Sequence, residues 1–297
     1  MPKVSASHAR TGRKPKMGQH FLVSASAATT IIDALGDLSE STVLEIGPGR
    51  GALTSLLARR ARRLIAVELD RVLSAQLRMK FAAFPNVEIL EADILTVDLD
   101  SLFGPKPGST RPGMELVPDP AHVVGNLPYY ITSDLLLRLF EYRKYFDLMV
   151  LMVQKEVADR LAAQPGGREY GLLSATAQLY ASIEKLITLP PGAFSPPPKV
   201  ESTVVRLTMT PRVEALHVPE GAFVNFLRRS FGQKRKTLWN NLKSYYETET
   251  LRAALQEAQV KPTVRAEVLS LETSAALFRA LSSNGADEAA LGGSGKP

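Results

Sequence analysis

The chain is predicted to be an α/β protein built on a parallel sheet, and three observations predict it. A short apolar run, Val43-Leu44-Glu45-Ile46, reads as a buried strand that stops abruptly at Gly47, Gly49 and Gly51. Residues 52–58 then take up a helical pattern. Strand, glycine-rich turn and helix open a nucleotide-binding α/β unit, because glycines turn the chain tightly and let a ligand touch backbone. The third observation is the next strand, Leu64-Ile65-Ala66-Val67. It ends in Glu68, about twenty residues past the first glycine, where an acid can hold ribose hydroxyls. That spacing favours an adenosine-bearing cofactor over a structural turn, without saying which cofactor.

Composition sets the outer limits. At 297 residues the chain can bury a full core, and the length suits one large domain with a smaller one. Hydrophobic content of 45% and charged content of 22% are ordinary for a water-soluble globular protein. No apolar run approaches the roughly 18 residues that span a bilayer, and the basic N-terminus lacks the apolar core of a secretory signal. With no cysteine, disulfides, thiolate nucleophiles and cysteine–zinc sites are excluded. No metal site is expected, and the cytoplasm is the expected compartment. A net charge of +6 hints at a polyanionic partner if the charges cluster.

In chain order, residues 1–16 carry Lys3, Arg10, Arg13, Lys14 and Lys16 among small polar residues. They read as a flexible arm, either merely solvated or neutralising phosphates. Gly18-Gln19-His20-Phe21-Leu22 precedes a helix capped by Ser24 or Ser26 that runs through Ile31, Ile32 and Leu35. Beyond Glu68, residues 72–81 read as a helix and 87–90 as a third strand. Asp93 lies just past that strand's carboxyl end, on the rim where open α/β sheets bind ligands; it suits an adenine amino group or, equally, a loop cap. Residues 104–120, rich in proline and glycine, form a surface loop.

A fourth strand, residues 122–125, leads into Asn126-Leu127-Pro128-Tyr129. A polar amide, a rigid proline and an aromatic at a strand's end make a poor core but a good platform. They suit methylation of an exocyclic amine on a nucleobase. That nitrogen's lone pair is delocalised into the ring, and two acceptors on its N–H bonds turn the pair out of conjugation. The Asn126 oxygen and a backbone carbonyl beside Pro128 can supply both acceptors. Tyr129 can stack on the base once it has left its helix. No strong base is required, because the methylated ammonium loses its proton readily. The structural alternative is an Asn-Pro turn beside a core tyrosine.

Strands are predicted over residues 147–153, 183–189 and 202–209, and helices over 154–162 and 171–181. Between the last two strands, Phe194 on the stiff Phe194-Ser195-Pro196-Pro197-Pro198 loop is expected to be exposed, as a second stacking face. From about residue 211 the strand alternation gives way to helices over 222–230, 237–246, 251–259 and 274–281. The run from Arg228 to Lys243 holds six basic residues with Phe231 and Trp239, and its Lys234, Arg235 and Lys236 are candidates for gripping phosphates.

Four motifs recur together in order: Gly18-Gln19-His20-Phe21-Leu22, Glu45-Ile46-Gly47-Pro48-Gly49-Arg50-Gly51, Asn126-Leu127-Pro128-Tyr129, and Phe194-Ser195-Pro196-Pro197-Pro198-Lys199-Val200-Glu201-Ser202. The chain thereby resembles the ribosomal RNA adenine N6-dimethyltransferases, specifically the kasugamycin-sensitivity small-subunit branch, over about residues 17–280. The resemblance implies a class I methyltransferase, Rossmann-like sheet of seven strands with helices on both faces, followed by a small α-helical domain. It implies S-adenosyl-L-methionine as methyl donor and 16S rRNA in the small ribosomal subunit or its precursor as partner, the enzyme acting as a monomer. The product would be N6,N6-dimethyladenosine at two adjacent adenines near the rRNA 3′ end. Mapped by motif, His20 and Leu22 cover the cofactor and Gly47 lies under its methionine part. Glu68 holds the ribose, Asp93 the adenine, and Asn126 borders the transferred methyl. The amine-binding set is Asn126, Leu127, Pro128, Tyr129 and Phe194. His20 departs from the asparagine frequent in the family, and the 104–120 loop is longer than usual.

The domains are then a flexible arm (1–16), a cofactor-binding catalytic domain (17–210), a helical RNA-binding domain (211–281) and a disordered tail (282–297). The C-terminal signature resembles the small-subunit branch more than the large-subunit macrolide-resistance methylases, the nearest alternative. Two readings from other classes remain open. A nicotinamide-dependent dehydrogenase shares the glycine turn and Glu68 but has no use for residues 126–129. A non-catalytic ribosome-assembly protein needs no intact cofactor residues, and here they are intact.

Overall fold

In the computed structural model, the described residues are 19–104 and 121–283. The basic arm, all but the first residue of the 104–120 loop, and the tail from residue 284 lie outside them. Strands in chain order are β1 (Phe21–Leu22), β2 (Thr42–Ile46), β3 (Arg63–Glu68), β4 (Val87–Glu91), β5 (Ala121–Asn126), β6 (Phe146–Gln154), β7 (Ala181–Leu189), β8 (Phe194–Ser195) and β9 (Ser202–Met209). Helices up to β7 are α1 (Ala25–Asp33), α2 (Thr54–Leu57), α3 (Arg71–Lys80), α4 (Leu99–Phe103), α5 (Thr132–Glu141), α6 (Lys155–Leu161) and α7 (Leu172–Tyr180). After β9 come α8 (Glu220–Ser230), α9 (Leu238–Leu242), α10 (Thr248–Glu257) and α11 (Leu271–Ser283).

Seven strands pair in the order β4-β3-β2-β5-β6-β9-β7. The first five run parallel, and β9 is antiparallel to both β6 and β7. Strand order reverses between β2 and β5, the place where an open α/β sheet binds its ligand beyond the carboxyl ends. β2 is apolar without alternation because both its faces are covered. Val43 joins α1 residues Ile31 and Ile32 in one core, while Leu44 and Ile46 enter the other. Below the sheet, Ser41 is hydrogen-bonded to His122 Nε2 (3.3 Å), and His122 Nδ1 to Asp147 Oδ1 (2.7 Å), which ties together the starts of β2, β5 and β6.

The larger core does not stop at the sheet. It runs from Leu44 and Leu151 through Leu139 and Leu179 into Phe223, Phe226 and Phe278 of the C-terminal helices. The helical segment therefore shares its apolar core with one face of the sheet.

Local signals account for several helix starts. Ser24 Oγ accepts from Ala27 N at the start of α1, and Asp70 Oδ1 accepts from Val72 N and Leu73 N at the start of α3. Two helices are much shorter than the sequence predicts. α2 begins only at Thr54 because Gly51 sits at φ +78°, outside helical geometry. α9 ends at Leu242, and the chain turns to carry Tyr246 into the core. Two others, α4 and α5, were not anticipated, although α5 buries Leu135, Leu136, Leu139 and Phe140 along one side. Among the described residues no helix is long and apolar enough to cross a membrane.

Candidate active site

A cleft opens at the carboxyl ends of β2, β3, β4 and β5. His20, Leu22, Gly47, Glu68, Asp93, Asn126, Leu127, Pro128 and Tyr129 all line it. The strand order brings these residues together from five separate parts of the chain.

The glycine turn is shaped for close backbone approach. Gly47 has φ +65° and Gly49 φ +57°, a region L side chains rarely occupy. A Cβ on Gly49 would lie 2.8 Å from the Phe21 ring. Glu68, only 4% exposed at the end of β3, fastens this turn. Its Oε2 accepts from Gly49 N and its Oε1 from Asp70 N, both at 2.9 Å. Each carboxylate oxygen can accept a second bond, so Glu68 can shape the turn and also hold a ribose. Asp93 shows the second of the two roles weighed for it, the loop cap. Its Oδ1 accepts from Leu95 N at 2.9 Å, a loop cap, while among the described residues Oδ2 has no donor.

The amide of Asn126 has a defined orientation. Its Nδ2 donates to the His20 carbonyl at 2.8 Å, so among the described residues Oδ1 is left as a free acceptor. The Pro128 carbonyl already accepts from Ile131 N and Thr132 Oγ1. The Leu127 carbonyl accepts nothing among the described residues, and is therefore the free backbone acceptor beside Pro128. Tyr129 is held at both ends: its hydroxyl is hydrogen-bonded to Ser202 Oγ at 2.9 Å, and its ring stacks on that of His20.

Phe194 is not where the sequence led us to expect it. It is 3% exposed and packs with Leu22, Leu189 and Ala193 in the smaller core. The reason is strand pairing: β1 and β8 join antiparallel, setting Leu22 opposite Phe194, and that ribbon lies against the core. Here Phe194 is a core residue, outside the lining of the cleft.

Some residues of the site were given no role from sequence. Glu45 lines the cleft at 1% exposure, with its Oε2 unpartnered among the described residues, and burial pushes its carboxyl up to about 7. An acid inside an otherwise apolar strand was the available signal. Tyr130, 62% exposed, also lines the cleft and was visible only as a second aromatic beside Tyr129. The contributions of Ser202 and of the Pro196 carbonyl, which lies 2.8 Å from His20 Nδ1, had no local signal.

The proposed phosphate-gripping residues lie elsewhere. Lys234, Arg235 and Lys236 are exposed on the turn between α8 and α9. Buried Asn241 braces that turn by donating from Nδ2 to the carbonyls of Ser230 and Gln233. No cluster of three or more His, Asp or Glu side chains suited to a metal occurs among the described residues.

A family model described as ribosomal RNA adenine dimethylase matches residues 10–283. The chain is 55% identical over 282 residues to ribosomal RNA small subunit methyltransferase A of Koribacter versatilis, covering 95% of this chain and 99% of that protein. A dimethyladenosine transferase from Plasmodium falciparum has the same fold, with TM-score 0.70 at 24% identity, over 89% of this chain and 98% of the other. The 23S rRNA methyltransferase ErmE is similar at TM-score 0.65 and 25% identity, over 88% and 99%.

Proposed function

The chain belongs to the ribosomal RNA adenine dimethylase family, and from that membership we propose that it dimethylates N6 of two adjacent adenines near the 3′ end of 16S rRNA in the small ribosomal subunit. Small-subunit rRNA is the proposed substrate because identity to the Koribacter small-subunit enzyme is 55%, against 25% to the 23S enzyme.

The observation that carries this reading is the orientation of Asn126. With Nδ2 committed to the His20 carbonyl, Oδ1 and the Leu127 carbonyl are two free acceptors at the edge of a cleft that Tyr129 also lines. An adenine amine donating both N–H bonds to them has its lone pair turned out of the ring, and nothing in that step calls for a strong base. Tyr129, fixed by Ser202, offers a ring face for the extruded base.

The chain's residues also fit S-adenosyl-L-methionine. Glu68 would hold the ribose and Asp93 the adenine amino group, Gly47 would pass beneath the methionine part, and His20 and Leu22 would cover it. The buried Oε2 of Glu45, without a partner among the described residues, is a polar atom at the cleft lining that a polar ligand would satisfy. When bound, the cofactor supplies an electrophilic methyl group. Lys234, Arg235 and Lys236, within the helical segment 211–281, would neutralise rRNA phosphates away from the cleft. The test is methyl transfer from labelled cofactor to undermethylated small subunits, with the modified nucleoside identified. N6,N6-dimethyladenosine is expected. Label in another nucleoside, or transfer only to large subunits, would overturn the reading.

A further inference from the structure

The cleft is left without the second aromatic face expected of Phe194, and the ring beside Tyr129 is that of His20. The His20 imidazole stacks on the Tyr129 ring with centroids 5.8 Å apart and 28° between the planes. Both rings are pinned by hydrogen bonds at their edges. A carbonyl only accepts, so the 2.8 Å contact between His20 Nδ1 and the Pro196 carbonyl places a hydrogen on Nδ1. The Tyr129 hydroxyl is tied to Ser202 Oγ. His20 also accepts, through its own carbonyl, the bond that orients Asn126. The ring pair and the amide oxygen thus form one braced unit.

A purine sandwiched between two rings needs centroids about twice the ~3.4 Å stacking repeat apart. At 5.8 Å and 28° the two rings stand closer than that, so they must part to admit a base. Resting on the function proposed above, we propose that His20 is the second jaw of the base clamp, stacking on the extruded adenine opposite Tyr129 with Asn126 Oδ1 at the edge of the slot. This role depends on the ring, and it is separate from any hydrogen bond His20 makes towards the cofactor.

Two substitutions separate ring from hydrogen bond. His20→Asn keeps a polar side chain and loses the ring; His20→Phe keeps the ring and loses the bond to Pro196. In single-turnover methyl transfer to undermethylated small subunits at saturating cofactor, His20→Asn is expected to be slower by roughly fivefold to a hundredfold, the range for one lost base–aromatic stack. His20→Phe, which gives up the bond to Pro196 and any bond towards the cofactor, is expected to be slower than wild type but several-fold faster than His20→Asn. Calorimetry of cofactor binding to the same variants keeps donor affinity apart from base handling. As a readout independent of chemistry, subunits reconstituted with 2-aminopurine at the target adenine should be quenched on binding wild type or His20→Phe, and several-fold brighter with His20→Asn. Wild-type rate and quenching in His20→Asn would overturn the clamp, and so would a His20→Phe variant as slow and as bright as His20→Asn. If wild type methylates no adenine, the proposed function falls and the clamp with it; if wild type dimethylates and His20→Asn is unimpaired, only the clamp falls.

Discussion

Glu68 is used by the chain before any ligand arrives, and this shapes what its removal should do. Its two oxygens accept from the amides of Gly49 and Asp70, each at 2.9 Å, in a side chain that is 4% exposed. Hydrogen bonds to a charged group contribute about 1.5–3 kcal/mol each. The Asp70 amide is near the surface, where water can replace its partner, while the buried Gly49 amide has no such substitute. Glu68→Ala should therefore cost about 2–4 kcal/mol of stability. Glu68→Gln, isosteric and still offering one oxygen, should cost about half as much. Both should weaken S-adenosylmethionine binding by roughly ten- to a hundredfold, because an acceptor for the ribose hydroxyls is lost as well. Urea unfolding measures the first effect. Calorimetry on the folded Gln variant measures the second without confusing the two. A Gln variant with unchanged donor affinity would refute the ribose assignment, and binding of a nicotinamide dinucleotide instead would favour the dehydrogenase reading.

Other expectations follow from the same geometry. Asn126→Ala should slow single-turnover methyl transfer by on the order of a hundredfold or more while subunit binding changes little; near-normal dimethylation by the folded variant would mean the amine site is misplaced. Neutralising Lys234, Arg235 and Lys236 together should weaken subunit binding and flatten its dependence on salt, with donor affinity unchanged. An unaltered salt slope would make that turn an ordinary solvated surface. Phe194→Ala should destabilise the fold by about 3–5 kcal/mol, as for a core phenylalanine; a fully stable variant that has lost methyl transfer would restore the exposed stacking role. Glu45 makes stability depend on pH, because its folded-state pKa of about 7 lies above the ordinary 4.5. The fold then binds a proton that the unfolded chain has already released. Its contribution is complete below about pH 4.5 and is lost as pH rises through about 7. Glu45→Gln should gain stability relative to wild type between pH 5 and pH 8 in denaturant unfolding, and parallel pH profiles would count against a buried, protonated acid.

Residues that act through their immediate neighbours were legible in the chain itself. The turn at Gly47-Pro48-Gly49 needs positive φ at both glycines, and only local sequence sets that. Glu68 and Asp93 follow their strands directly, so once the strands are recognised from apolar runs the acids must fall on the carboxyl rim. Strand β9 was legible to the residue because its alternating pattern ends against prolines on one side and Thr210-Pro211 on the other. The short α2 and α9 were over-read, since apolar spacing alone does not show where a chain turns away to place a glycine or a tyrosine.

The tertiary structure decided everything that depends on partners distant in sequence. Pairing of β1 with β8 joins segments about 170 residues apart; it buries Phe194 and sets the His20 ring against Tyr129 and the Pro196 carbonyl. The direction of the Asn126 amide depends on a carbonyl 106 residues away. Continuity of the core between sheet and C-terminal helices depends on how α7 packs on α8, which no single helix pattern records. The physical reason is common to all three. Periodicity and turn chemistry report which face of an element is apolar, whereas the identity of what covers that face, and so whether a given ring is core or platform, is settled only when elements far apart in the chain pack together.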